Sequence, residues 1–244
     1  MNMKIKLSLT LFLSAIFCSA SFAQGTWTQK ANFGGSPRFG AVGFSIGGKG
    51  YIATGTDYKT NFKDVWEYDP SNDTWTQKAN FSGGARFGAV SFIIEDKAYV
   101  ATGYDDNNKT VYKDLWEFTP SANKWVKKTD LPCKGKYYAI AFAIGKKGYI
   151  GGGLEKNHDS VLWEYDQTSD RWTEKKGTAT ISPGCHGAIG FSIGNKGYVV
   201  GGMYRLTTYN TFYLISPCHP QLFLPNLFLY IYCYRLQIQP SNIF

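Results

Sequence analysis

An all-β fold of repeated four-stranded antiparallel sheets is what this sequence predicts, on three observations. Tryptophans recur at a near-constant interval: Trp27, Trp75, Trp125 and Trp172 stand 48, 50 and 47 residues apart. The text around them repeats, WTQKANFG from Trp27 against WTQKANFS from Trp75. No window of this region sustains a 3.6-residue apolar period, whereas short β-rich runs broken by turn residues recur throughout it.

Each period opens on a tight hairpin. The four copies read RFGAVGFSIGGKGYIATG from Arg38, RFGAVSFIIEDKAYVATG from Arg86, KYYAIAFAIGKKGYIGGG from Lys136 and CHGAIGFSIGNKGYVVGG from Cys185. In the first, a small, apolar run from Ala41 to Ile46 meets a turn at Gly47, Gly48 and Lys49, and a second run returns at Tyr51 to Ala53. Alanine and glycine alternating with bulkier residues suit a strand that packs where space is short, near the axis of a radial array. After a variable loop comes a second hairpin: KDVWEYDPSNDTW from Lys63, KDLWEFTPSANKW from Lys113 and SVLWEYDQTSDRW from Ser160. Pro70, Ser71, Asn72 and Asp73 form its turn by composition. The aromatic residues on its arms contribute about 1.5–3 kcal/mol each when fully buried. Two hairpins make one four-stranded propeller blade.

These residues carry a resemblance. The chain resembles the kelch repeat family, marked by a basic residue, an apolar strand, a tyrosine shortly before a glycine pair, a later aromatic and a tryptophan in the last strand. The pair is intact at Gly152-Gly153 and Gly201-Gly202, and reads Thr54-Gly55 and Thr102-Gly103 in the first two copies. Since the second glycine is always kept, a special backbone angle or close contact is expected only there. The resemblance covers residues 27–204. It implies an incomplete kelch-type β-propeller, with blades at about 36–79, 84–129 and 134–176 and a partial one at 185–204. Complete rings of the family have six or seven blades. Its members include binding modules, a copper oxidase of galactose and a sialic acid mutarotase, so it fixes no single function.

The two ends differ from the repeats. Lys4 and Lys6 precede an apolar stretch from Leu7 through Phe17, and Ser21 and Ala23 place small residues before a cut at Gln24. Residues 1–23 therefore read as a signal peptide, too short in apolar length to span about 30 Å of hydrocarbon. Bulky Phe17 before Cys18 argues against lipidation. The expected location is outside the cytoplasm: secreted, periplasmic or cell-surface. From Arg205 to Phe244 the chain has two arginines, no lysine, no acid and no glycine. This atypical tail has three readings: a membrane-associated segment, a cap over a free sheet edge, or sequence read in a shifted frame after residue 204. Prolines 217, 220 and 225 interrupt it, so no membrane span is expected after signal removal. The strand around Trp27 matches a last strand with nothing before it, and an open set of blades leaves an edge through which copies can self-associate.

The formal charge of +8 is spread as single lysines, which excludes nucleic acid as the expected partner. Arg38, Arg86 and Lys136 share one position at the entry of the first strand. They are read either as a basic ring at the channel mouth facing an anionic ligand or as local partners of an acid or carbonyl. Asp57 and Asp105, with Asp106, follow the first hairpin and are the other candidate ligand-facing residues. Glu67, Glu117 and Glu164 repeat at one strand position, which holds them apart and argues against paired carboxylate catalysis. His158, His186 and His219 have no metal-ligand spacing. The pair Cys185-His186 reads as strand entry in preference to a nucleophile. No catalytic residue, metal or cofactor is expected. Cys133 and Cys185, each near a strand entry in adjacent blades, are a candidate disulfide. The leading function is a non-enzymatic protein- or glycan-binding module that presents the loops 56–62, 104–113 and 154–160. The alternatives are a propeller-type carbohydrate-active enzyme such as a sugar mutarotase, and a truncated remnant of a longer kelch protein.

Overall fold

The computed structural model describes residues 27–154, 161–175, 185–204, 207–208 and 212–215. Packing sets residues 1–30 apart from 31–244, and the architecture below is that of the second unit. Residues 27–30 form no strand, and Trp27 is exposed. The signal-peptide reading and its Cys18, the capping reading of the tail, His158 and His219 all fall outside the described residues.

Blade 1 is an antiparallel sheet of β1 (Val42–Ile46), β2 (Lys49–Ala53), β3 (Val65–Asp69) and β4 (Thr74–Lys78), in that order. Blade 2 begins with β5 (Val90–Ile94) and β6 (Lys97–Ala101). A small loop hairpin follows, β7 (Tyr104–Asp105) and β8 (Thr110–Val111), and then β9 (Leu115–Thr119) and β10 (Lys124–Lys128). Blade 3 holds β11 (Ile140–Ile144), β12 (Lys147–Gly151), β13 (Trp163–Asp166) and β14 (Arg171–Glu174). Blade 4 has β15 (Ile189–Ile193) and β16 (Lys196–Val200). After the loop hairpin β17 (Met203–Tyr204) and β18 (Thr207–Thr208) comes β19 (Phe212–Ile215), the third strand of that sheet. Among the described residues all the pairings are antiparallel. The fold is an all-β, incomplete kelch-type propeller.

Blade 4 thus runs past residue 204, where the repeat text breaks off. Gly197 pairs with Ile215 as Gly50 pairs with Tyr68. The backbone keeps its register after the Trp-Glu signature is lost.

Alternation along the first strand builds the core. Val90, Phe92 and Ile94 point into the blade 2–blade 3 layer with Leu115, Ile150 and Tyr165, all buried. Val42 lies in the layer before it with Val100 and Phe118, and Ile140, Phe142 and Ile144 in the one after with Val199. Each of the first three blades also grips the linker that precedes it. The turn residues Asp73, Asn123 and Asp170 accept backbone N–H bonds from Ala31, Ala79 and Thr129 at 2.9–3.0 Å. Trp75, Trp125 and Trp172 donate their indole N–H groups to the carbonyls of those same three residues. The period of the tryptophans is the period of this two-point clamp.

The glycine pair departs from expectation. Its first position is also left-handed, with φ 63° at Thr54 and 64° at Thr102 against 59° at Gly152. The second position adds a steric demand: a Cβ on Gly55 would come within 3.0 Å of the Ala41 Cβ and the Phe39 carbonyl. Close approach is special to the second glycine; the angle is not.

Candidate functional site

Arg38 and Arg86 each pair with a local acid and a carbonyl within their own blade. Arg38 donates to both oxygens of Asp64 at 2.5 and 2.8 Å and to the Thr54 carbonyl at 3.0 Å. Arg86 repeats this with Asp114 at 2.5 and 3.0 Å and with the Thr102 carbonyl at 2.9 Å. The guanidinium groups lie over Phe62 and Tyr112, at 4.2 and 3.5 Å from the ring centres. Trp66 and Trp116 complete each clamp by donating to the same aspartates at 2.7 Å. Arg86 and Lys136 are fully buried, and the Arg86 Nη1 and Nη2 groups are engaged by Asp114 and the Thr102 carbonyl of their own blade. The aspartates were legible in the repeated KDVW and KDLW text.

The acidic candidates fare similarly. Asp57 is exposed, but its Oδ1 accepts the backbone N–H groups of Thr60 at 2.7 Å and Lys59 at 2.9 Å, which hold its carboxyl below the usual range. Asp105 is buried and accepts from the Asn61 side chain at 2.7 Å and from the Asn107 N–H at 3.0 Å. Asn61 also donates to Asp106, tying the blade 1 loop to the blade 2 loop. The expected disulfide is not formed. Cys185 is a buried thiol 3.7 Å from the Gly201 carbonyl, its pKa raised by burial. It fills the Arg/Lys position inside blade 4, while Cys133 lies three residues before that position and packs on the blade 2–blade 3 core.

The repeated carboxylates are also committed. Glu67 accepts from Tyr51 at 2.6 Å and Lys49 at 2.9 Å, and Glu117 from Tyr99 at 2.7 Å and Lys97 at 2.8 Å. Glu164 accepts from Tyr149 at 2.8 Å and lies 3.0 Å from Lys175. Burial pushes each carboxyl up, but the tyrosine hydroxyl and the lysines outweigh it and leave all three below the ordinary value.

What the first hairpins bring together is aromatic. The residue after each Arg, Lys or Cys is Phe39, Phe87, Tyr137 or His186. Each bridges to the first residue past the glycine pair: Thr56, Tyr104, Leu154 and Met203. Phe39 lies 4.3 Å from Tyr58, and Tyr104 stacks on Tyr137 at 5.1 Å. Phe87 touches Phe39, Tyr104, Tyr137 and Tyr138 at 5.6–6.5 Å. Phe39 and Tyr58 are exposed. This rim stands where the first strands enter. Beyond it the strands line an axial cavity of about 590 Å³, walled by small residues such as Ala41, Ala89, Ala139 and Ala188.

One rim residue breaks the local rule. Gly40, Gly88 and Gly187 have φ of 62°, 63° and 68°, and their backbones form a chain of hydrogen bonds from blade to blade. The blade 3 member of that chain is Tyr138, at φ 51°. Its ring lies over Gly88, and its hydroxyl is 3.6 Å from where a Gly40 Cβ would stand. A bulky side chain in the left-handed region costs about 1–2 kcal/mol relative to glycine. Such strain concentrates at functional positions. Burial, then the neighbouring Tyr137 and Tyr58, raises the Tyr138 pKa, and burial with Tyr104 raises that of Tyr137. Both hydroxyls stay protonated at neutral pH, able to donate and accept. The charge of the RF, RF and KY pairs is the conspicuous feature of the sequence here, and the ring beside it carries no signal of its own.

Comparison with known proteins agrees with this architecture. Residues 37–82 match the kelch motif. The chain carries a kelch repeat. No curated protein matches it in sequence. A solved structure titled "Structure of YjhT" superimposes with a TM-score of 0.65 at 22% identity, over 72% of this chain and 63% of that one. At that identity the likeness is one of fold.

Proposed function

We propose that this kelch chain is an exported, non-enzymatic binding module whose aromatic rim holds a glycan. The observation that carries the reading is Tyr138, a strained tyrosine where three equivalent positions hold glycine, with its ring against Gly88 and its hydroxyl toward Gly40. Flat rings flanked by protonated hydroxyls suit a ligand that is itself a ring with one apolar face and a polar edge. Binding sites of this kind are mostly aromatic with a few placed polar groups. The proposed export follows from Lys4, Lys6 and the apolar run ahead of Gln24.

A glycan array probed with the secreted protein and with Tyr138→Gly tests it. Wild type is expected to bind a defined subset of glycans. Tyr138→Gly should lower that binding about two- to tenfold, the loss of one stacking contact. Its thermal midpoint should not fall, because glycine is at ease at that angle. Binding to no glycan, or equal binding by the variant, contradicts the reading.

A further inference from the structure

The two ends of the blade series present opposite halves of one repeated contact. Between blades, a phenylalanine of one first hairpin sits on a small residue of the next. Phe92 lies where a Cβ on Gly148 would come within 2.3 Å of its ring, and Phe142 stands to Gly197 in the same way at 2.2 Å. In the first layer Ala98 holds the small position and Phe44 packs against the cluster that contains it. The flanking residues close each knob: Val90, Phe92 and Ile94 are 8%, 4% and 1% exposed, and Ile140, Phe142 and Ile144 are 2%, 4% and 7%.

On blade 4 the same three positions are open. Ile189, Phe191 and Ile193 are 64%, 37% and 62% exposed, with Phe191 stacked on Tyr198 as Phe142 is on Tyr149. The knob is formed and points at no blade. On blade 1 the socket is open. A Cβ on Gly50 would meet only the Tyr68 Cβ, at 3.9 Å. Ile52 beside it is half-buried, whereas its counterparts Val100 and Ile150 are fully buried.

We infer that a second copy of this chain covers the exposed face of blade 4, with the Phe191 knob of one copy seated on the Gly50 socket of the other. The occupant follows from complementarity: the required surface is a β-sheet with a glycine at the socket position, and blade 1 of this same chain supplies it. The contact joins sheet faces and differs from pairing through an open sheet edge. It is heterologous, so each added copy leaves one knob and one socket, which either close on each other as a ring or continue as a chain.

The test is sedimentation of purified protein over a wide concentration range, with two variants that each destroy one half. Phe191→Glu removes the knob and Gly50→Trp fills the socket. Wild type should at least double in mass as concentration rises. Each variant alone should associate about thirtyfold more weakly or worse, as for a central interface residue. An equimolar mixture of the two should recover a dimer, because the first keeps its socket and the second its knob. Far-UV dichroism and a cooperative melt establish that each variant is folded. Should either fail, Ile193→Glu and Ile52→Glu replace Phe191→Glu and Gly50→Trp. The inference is overturned by wild type that stays monomeric throughout, as it would if the chain's own tail covered the face. It is equally overturned by variants that associate like wild type, or by a mixture of folded variants that stays monomeric.

Discussion

At the scale of the residue, the repeats act as controls for one another. Asp64 and Asp114 each accept an arginine and an indole N–H, but blade 3 has Val161 at that position. Among the described residues the Trp163 indole nitrogen is buried without a hydrogen-bond partner, and Lys136 replaces the arginine beneath it. Val161→Asp should give that indole an acceptor and place a carboxylate near the buried lysine. The expected gain is about 1 kcal/mol, or about 2–4 °C in thermal midpoint for a domain of this size. A drop on thermal or urea unfolding would mean that the blade 3 site cannot take up the charge. The same comparison explains what sequence could and could not reveal here. Arg38 and Arg86 were visible as a repeated charge, but their burial depends on aspartates 26 and 28 residues away, and a list of repeated charges does not say which of them face one another. Phe39, Phe87, Tyr137 and His186 were written beside them in every copy. Sequence alone does not separate a core ring from one at the strand entry; the bridge past the glycine pair places these at the rim.

At the scale of the element, each complete blade is pinned by a tyrosine, a glutamate and its lysines. Glu67, Glu117 and Glu164 have pKa values held below the ordinary 4.5. The unfolded chain therefore takes up protons before the folded one does. The stability these groups contribute is complete above the unfolded value and is lost as pH falls through the lower folded values. Urea midpoints measured from about pH 6 down to about pH 3 should fall, and Glu117→Gln should shallow that fall by one group's share. An unchanged slope would mean that the Lys97 and Tyr99 contacts add nothing beyond solvation. Blade 4 marks the limit of the pattern: Leu214 takes the register position of these glutamates and is exposed. Its strand was still legible by spacing, since Tyr213 follows Gly202 by 11 residues, as Trp66 follows Gly55. The lost Trp-Glu text hid it, because backbone pairing needs only an extended segment of the right length, whereas recognition by text needs the side chains.

At the scale of the whole molecule, first strands of small residues leave an axial cavity, and the loops that end them carry rings. The two roles separate: charged residues hold hairpins to hairpins, while aromatic residues gather at the entry, Phe39 and Tyr58 exposed and Phe87, Tyr104, Tyr137 and Tyr138 half-buried. The binding account rests on that separation. Its most direct test is ¹⁹F NMR of protein labelled with 3-fluorotyrosine, titrated with a glycan captured on the array. The account predicts that the resonances of Tyr58, Tyr104, Tyr137 and Tyr138 shift on titration, while those of Tyr51, Tyr99 and Tyr149, bonded to glutamates inside the blades, stay in place. Shifts confined to the blade tyrosines, or rim resonances that do not move at saturating glycan, would contradict it.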